Sequence, residues 1–370
     1  MSSYEAFNDD ENSFGMSADE EDIMNSMLIK TELAPPTRLS KSILYDLISN
    51  FYSRNGIKCW SERGVPHFIT SNAFVAKCYV HIFAGFIADC FLEGCENESG
   101  LRLDANEKLY IIEIGAGFGK FAFYFLKILH EISSTLRFPM NRICYVMTDI
   151  VQSNIDFYKT QQNLKPFIDE GIIDFGRFDA TADVSLTLQV SGVEISSKNP
   201  AVNPIVFITN YVFDSLPNDI FQVRDSQLYE GLITLGSCRE NETDPNDPKF
   251  MEFMQNKFTY KRIKNELEYY LNCEGKKTEL EFQLSLILNF YKQYFSECSG
   301  LGDAAASFIL PVGGMKMLYN LSKLCENRMI MITSDKGTFN PDNFYGLKVS
   351  VVGVNLKWSS CVLELKLIPY

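Results

Sequence analysis

The run Leu109-Tyr-Ile-Ile-Glu113-Ile-Gly115-Ala-Gly117-Phe-Gly119-Lys120-Phe121 constrains this chain more than any other stretch. Its first six residues are apolar apart from Glu113, as expected of a strand covered on both faces. Three alternating glycines then give way to an apolar helical pattern that reaches about Leu129. A buried strand that turns on glycines into a helix opens a parallel α/β unit. Such glycines permit positive φ and close approach of a ligand, and the helix start offers free N–H donors.

The rhythm continues downstream. Ile143–Met147, Ile172–Phe175 and Pro204–Thr209 read as further strands, with a helix around Ser153–Gln162 between the first two. Short connections between alternating strands and helices predict a doubly wound α/β sheet. A helix around Gly314–Cys325 and a strand at Met329–Thr333 resume the pattern late in the chain. Lys348–Val354 and Cys361–Leu367 then read as an antiparallel terminal pair.

The flanking segments differ. Residues 1–29 hold eight acids and no base, and read as a disordered tail. Residues 30–105 read as an N-terminal helical cap. There Leu44, Leu47, Ile48 and Phe51 share a helix face, Gly56 suits a C-cap, and Ser71 or Asn72 caps an apolar helix reaching about Leu92. Residues 106–240 form the expected sheet core. Residues 241–304 read as a helical insertion or lid, with helices at about 251–272 and 279–296, and residues 305–370 complete the core.

The net charge of −13 argues against nucleic acid as a partner. Ten scattered cysteines form no CxxC and no Cys/His cluster, so no metal site is expected and a reducing, cytoplasmic setting is. The longest apolar stretch, Cys78–Ala88, reads as too short to span a bilayer, so no membrane association is expected. No Gly-x-Ser-x-Gly elbow, His-Glu-x-x-His or P-loop occurs, which excludes the hydrolase, zinc protease and NTPase classes that depend on them.

The glycine spacing is Gly-x-Gly-x-Gly, not the Gly-x-Gly-x-x-Gly of dinucleotide binders. Glu113 sits two residues before the first glycine, where an acid repels pyrophosphate and attracts a cation. S-adenosylmethionine carries such cations in its ammonium and sulfonium groups. Asp149 ends the second strand, where a carboxylate can accept both ribose hydroxyls. Asp179 in Arg177-Phe178-Asp179-Ala180 follows the third, placed to accept from an adenine amino group while Phe178 stacks.

On these residues the chain resembles the class I S-adenosylmethionine-dependent methyltransferases, which carry an E/D-x-G-x-G-x-G turn and acids after strands two and three. Within them it is most similar to the MidA-type proteins, which include a mitochondrial protein-arginine methyltransferase of complex I assembly. Phe68-Ile69-Thr70-Ser71-Asn72 resembles that family's N-terminal Phe-x-Thr-[Ser/Ala]-Pro block. Asn210-Tyr211-Val212-Phe213-Asp214-Ser215-Leu216-Pro217 resembles its Asn-Glu-x-x-Asp-Ala-Leu-Pro block, and Ser334-Asp335-Lys336-Gly337 loosely matches a late Asp-Tyr-Gly. Tyr211 stands where the family carries Glu, and His67 and Asn72 where it carries Asp and Pro.

The resemblance implies a Rossmann-like class I methyltransferase sheet, mostly parallel with an antiparallel terminal strand. It also implies S-adenosylmethionine as cofactor, with Thr70, Glu113, Gly115, Ala116, Gly117, Gly119, Asp149, Asp179, Ala180 and Asn210 around it. Asp214 either handles the acceptor's proton or caps a following helix, and Tyr211 either stacks on a planar cation or packs as a half-buried aromatic. His67 is a weaker candidate base, while His81 and His130 on apolar helices read as structural. The expected function is methyl transfer to a protein nitrogen, arginine-like in character. The alternatives are an inactive methyltransferase-fold assembly or scaffold protein, and an oxidoreductase on the same sheet.

Overall fold

The computed structural model describes residues 29–61, 68–91, 102–241, 253–273, 278–297, 305–335, 352–354 and 365–367. The acidic tail, His67, Lys336 and Gly337 lie outside the described residues. In chain order the strands are β1 (Thr31–Arg38), β2 (Leu109–Ile114), β3 (Ile143–Asp149), β4 (Ile173–Arg177), β5 (Ser185–Thr187), β6 (Glu194–Ser196) and β7 (Ile205–Asn210). They continue as β8 (Asp219–Arg224), β9 (Gln227–Ser237), β10 (Met254–Arg262), β11 (Ala306–Leu310), β12 (Met329–Ser334), β13 (Val352–Val354) and β14 (Leu365–Leu367).

Five strands form a parallel sheet in the order β12-β7-β2-β3-β4. The chain leaves β2 in one direction to reach β3 and later returns to β7 on the other side. The carboxyl ends of β2 and β7 therefore flank a switch point, where open α/β sheets bind ligands. On one face the Ala73–Cys90 and Lys120–Glu131 helices pack Phe83, Phe121 and Phe125 against Ile111, Tyr145 and Ile208. On the other, Met317, Leu321 and Leu324 of the Val312–Leu324 helix meet Ile112, Val146 and Phe207. Both faces are apolar because both are covered, so β2, β3 and β7 read as apolar runs with polar residues confined to their carboxyl ends.

The apolar helix expected after Ser71 or Asn72 forms as Ala73–Cys90 with Asn72 as its cap, and it extends beyond the Cys78–Ala88 run on which the membrane expectation rested. By length and composition alone it is long and apolar enough to cross a membrane. Its Ala76, Tyr79, Val80, Phe83 and Ile87 are buried here against the parallel sheet's helical layer.

A second, antiparallel sheet was not expected from the sequence. One edge of β9 pairs with β10, while β8 takes its first half and β1 its second, and β11 adds to β8. The Ile43–Asn55 helix covers one face with Leu44, Leu47 and Ile48 over Ile220, Ile233 and Leu235. The Glu279–Glu297 helix covers the other with Leu284, Leu288 and Phe295 over Phe221 and Phe308.

Two helical expectations give way to strand. The predicted 251–272 helix contains β10, in which Met254 and Phe258 point to one buried face with the period of two typical of strands. Among the described residues of that stretch, helix is confined to Phe253 and the segment from Tyr269. The N-terminal cap begins with β1, whose Pro35 and Pro36 fall at an interruption of the β9 pairing, as prolines without N–H donors require. The terminal pair forms as β13 against β14, as a separate two-stranded ladder rather than an extension of the parallel sheet.

Candidate functional site

The strand ends open on a cavity of about 490 Å³. It is lined by Thr70, Glu113, Gly115, Ala116, Gly117, Asp149, Asp179, Ala180, Asn210, Tyr211 and Asp214. Of the residues singled out in the sequence and described here, Gly119 alone among the cofactor and acceptor candidates stays off its wall. His81 and His130 are exposed and do not line it, so they are surface rather than core residues.

The glycine turn needs its glycines for different reasons. Gly115, Gly117 and Gly119 all have positive φ, at 67°, 56° and 75°. A side chain at Gly119 would also press on buried Met147, its Cβ falling 2.8 Å from Cε. The turn is pinned from below: Ala116 N–H donates to Thr148 O at 2.9 Å, and Thr148 Oγ1 donates to Glu113 O at 2.7 Å. Gly119 then opens the Lys120–Glu131 helix as its N-cap.

Glu113 is 4% exposed and accepts from Tyr145 Oη at 2.9 Å. Burial pushes its carboxyl up to about 8, against which the Tyr145 bond acts only weakly. The unfolded chain releases this proton near 4.5 while the folded chain holds it to about 8. Between those values the folded state binds more protons, so stability falls as pH rises, by at most roughly 1.4 kcal/mol per pH unit from this group. Glu113→Gln is expected to flatten that slope, read as the difference in urea midpoint between about pH 5 and pH 8. An unchanged slope in the variant would contradict the assignment.

Asp149 is held in place by three donors. Val151 N–H reaches Oδ1 at 2.9 Å, and Asn154 Nδ2 and Tyr158 Oη reach Oδ2 at 3.1 Å each. Tyr158 Oη also lies 2.8 Å from Gly117 O, so its single proton is shared between the second strand's acid and the glycine turn. Burial pushes the Asp149 carboxyl upward, and its three donors together with the Ile150 N–H act against that rise. Asp179 is half-buried and accepts from the N–H and hydroxyl of Thr181 at 2.9 and 2.7 Å on Oδ1. Phe178 is 2% exposed and packed with Leu186 and Ile205, so it forms wall rather than an open stacking face.

The opposite edge is built by the end of β7. Asn210 Oδ1 accepts from Tyr79 Oη at 2.8 Å, while its Nδ2 is buried with no partner among the described residues. Tyr211 follows with φ 53°, a left-handed conformation unusual for an aromatic residue, which turns the chain sharply at the cavity edge. No helix follows Asp214, so the capping role expected of it is not realised; its Oδ1 accepts from Ser215 Oγ at 3.1 Å. Thr70, 4% exposed, is presented by the turn that Asn72 closes, Asn72 Oδ1 accepting from Val75 N–H at 3.0 Å.

Two contributions escaped the sequence reading. Asp335, just after β12, accepts from Phe213 N–H at 2.8 Å and Asp214 N–H at 3.3 Å, while Ser334 O accepts from Tyr211 N–H at 3.0 Å. The end of β12 thus fixes the 211–214 turn; the loose late-strand likeness was the only signal for it. The Ile43–Asn55 helix and Trp60 also line the cavity, through Tyr45, Tyr52 and Trp60 among others. The helical apolar spacing of Leu44, Leu47, Ile48 and Phe51 disguised the Tyr45 and Tyr52 wall as simple core, and Trp60 read only as the start of a turn.

These residues suit S-adenosylmethionine. Glu113 offers a buried acid to a cation, and the orphaned Asn210 Nδ2 offers a donor on the same wall.

Residues 97–310, more than half of the chain, match a family described as "Putative S-adenosyl-L-methionine-dependent methyltransferase". Among solved structures, the chain is similar to an uncharacterized superfamily protein from Burkholderia thailandensis, at 11% identity and a TM-score of 0.39, over 84% of this chain and 59% of that one. A second protein from that organism, solved bound to S-adenosyl-homocysteine, matches at 12% identity and a TM-score of 0.27, over 63% and 53%. The CurJ carbon methyltransferase matches at 14% identity and a TM-score of 0.20, over 52% and 50%. The chain spans little more than half the length of these proteins. No curated protein matches it.

Proposed function

Because the chain belongs to the S-adenosyl-L-methionine-dependent methyltransferase family matched over residues 97–310, we propose that it transfers a methyl group from this cofactor to a cationic protein nitrogen, arginine-like in character. One observation carries the reading: the glycine turn, the three strand-end acids and Asn210 converge on a single cavity. Bound there, the cofactor supplies an electrophilic methyl group on a sulfonium sulfur. Glu113 faces the ligand's positive charge, which favours its ionised form and so releases a proton. Asp149 takes a ribose hydroxyl and Asp179 an adenine amino group.

The acceptor side follows from the 211–217 turn. Tyr211 offers an aromatic ring to a planar cation, and Asp214 stands beside it to take the proton that leaves the acceptor nitrogen. The chain's task is mainly placement, since holding two reactants in line can supply several kcal/mol of the barrier. A protein substrate, a reducing cytoplasmic setting, and neither nucleic acid nor membrane as partner complete the reading. The described free thiols fit that setting. A second reading rests on Tyr211: with Tyr where relatives carry Glu, the site binds cofactor without turnover and the protein acts as an assembly scaffold.

Calorimetric titration of S-adenosylmethionine and S-adenosylhomocysteine tests the cofactor site. Wild type is expected to bind at about micromolar Kd, near 8 kcal/mol. Asp149→Ala is expected to weaken binding by about tenfold or more, since it removes the ligand's acceptor and frees the Tyr158 tie to the turn. No binding of either ligand to wild type would overturn the proposal.

A further inference from the structure

Trp60 lies outside the stretch that matches the family, on the Lys58–Ser61 helix, yet its indole sits over the second glycine of the turn. A Cβ placed on Gly117 would fall 3.2 Å from both Nε1 and Cε2 of Trp60, and 3.5 Å from Cζ2. The edge that carries the indole N–H therefore borders the turn. Trp60 lines the same cavity as Glu113 and Asp149. Its ring is backed by Tyr52, with centroids 5.8 Å apart and planes at 27°. Its backbone is fixed by a hydrogen bond from its N–H to Ile57 O at 3.0 Å and by the buried Cys59 beside it. The half-buried indole makes no side-chain hydrogen bond to the described residues, so its N–H is open to the solvent that fills the cavity.

We infer that Trp60 is a cofactor-binding residue, its indole N–H donating to an oxygen of the cofactor and its ring closing the cleft over the glycine turn. This rests on the methyltransferase reading above. Each part of the arrangement has a physical reason. Gly117 lacks a side chain both to adopt positive φ and to admit the indole edge. Tyr52 holds the ring in one orientation, so the donor is in place before the ligand arrives and little side-chain entropy is lost on binding. An indole packed only as filler would turn its N–H to another protein group or to bulk solvent. Here that N–H borders the turn that receives the ligand.

The chain has two tryptophans, Trp60 and Trp358, so in a Trp358→Phe background the emission reports Trp60 alone. Titrating S-adenosylhomocysteine into this protein is expected to change its fluorescence saturably, with the midpoint that calorimetry gives for the same sample. Trp60→Phe, which keeps a ring against Tyr52 and loses the donor, is expected to bind about tenfold more weakly with little change in unfolding midpoint. Trp60→Ala is expected to lose at least as much affinity. Calorimetric binding with unmoved Trp60 emission and unchanged affinity in Trp60→Phe overturns this inference and leaves the methyltransferase reading standing. Absence of binding to wild type overturns both.

Discussion

Replacing Asp219 with alanine is expected to destabilise the protein by about 3–5 kcal/mol, the cost of leaving two donors without their acceptor inside the protein and a nearby guanidinium without a counter-charge. Asp219 is 1% exposed at the start of β8. It accepts from Ser40 N–H at 3.0 Å and from Tyr270 Oη at 2.9 Å. The nearby Arg38 guanidinium lowers its carboxyl, but burial outweighs that attraction and the net direction is upward. Arg38 itself lies 5.1 and 5.5 Å from the ring centres of Tyr269 and Tyr270, with its Nε 3.6 Å from Glu230. One carboxylate therefore joins the turn after β1, the start of β8 and the Tyr269–Cys273 helix, which are far apart in sequence.

Alanine would leave the Ser40 N–H and the Tyr270 hydroxyl without their acceptor inside the protein, which is where most of the cost arises. The adjacent Asn218 N–H donates to Tyr45 Oη at 2.8 Å, and Tyr45 lines the cavity, so loosening this joint also loosens the ligand wall. Asp219→Asn retains one oxygen acceptor and is expected to cost less than alanine. Urea unfolding followed by circular dichroism measures both. A loss below about 1 kcal/mol for Asp219→Ala would show that the network holds no stability.

That joint also explains what the sequence could and could not disclose. The parallel sheet was legible because β2, β3 and β7 are apolar on both faces and each is followed by a distinctive polar or glycine residue at its carboxyl end. Glu113 and Asp149 were found by their positions at those ends and Asn210 by the resemblance of its block to the family's, and the fold needed only to bring them together. The antiparallel sheet was not legible. β10 carries Gln255, Asn256, Lys257, Lys261 and Arg262, which gives a polar segment whose strand character depends on pairing with β9. β1 is interrupted by two prolines.

The Ile43–Asn55 helix was correctly read from Leu44, Leu47 and Ile48, because periodicity reports which face is buried. It does not report that Tyr45 and Tyr52, beside that face, border a cavity whose other walls lie at residues 113–117 and 210–217. Asp335 was missed for a related reason: its role lies in two backbone N–H groups more than a hundred residues away.

The second large effect is expected at Gly313, a position with ordinary backbone geometry and no room. It opens the Val312–Leu324 helix, and its N–H donates to Pro217 O at 2.6 Å. A Cβ there would fall 2.6 Å from Pro217 Cδ, 2.7 Å from Pro217 N and 2.9 Å from Leu216 Cβ. None of these atoms is the free end of a flexible side chain, so the helix or the turn must move. The turn cannot move alone, because Asp335 holds its Phe213 and Asp214 N–H groups from the other side. Gly313→Ala is therefore expected to cost about 1–3 kcal/mol, as overpacking in a close-fitted interior does. Gly85 supplies the control: it lies inside the Ala73–Cys90 helix, and a Cβ added there meets nothing within 4 Å. Gly85→Ala is expected to be stabilising by up to about 1 kcal/mol, through helix propensity. In Gly313→Ala, S-adenosylhomocysteine affinity is expected to stay within about threefold of wild type, since the glycine turn and Asp149 are built by other strands. Methyl transfer is expected to fall by more than the lost stability alone explains, because Tyr211 and Asp214 ride on the displaced turn. Equal losses of cofactor affinity and transfer would instead mean that the two halves of the cavity move as one, and that the 211–217 turn has no separate part in placing the acceptor.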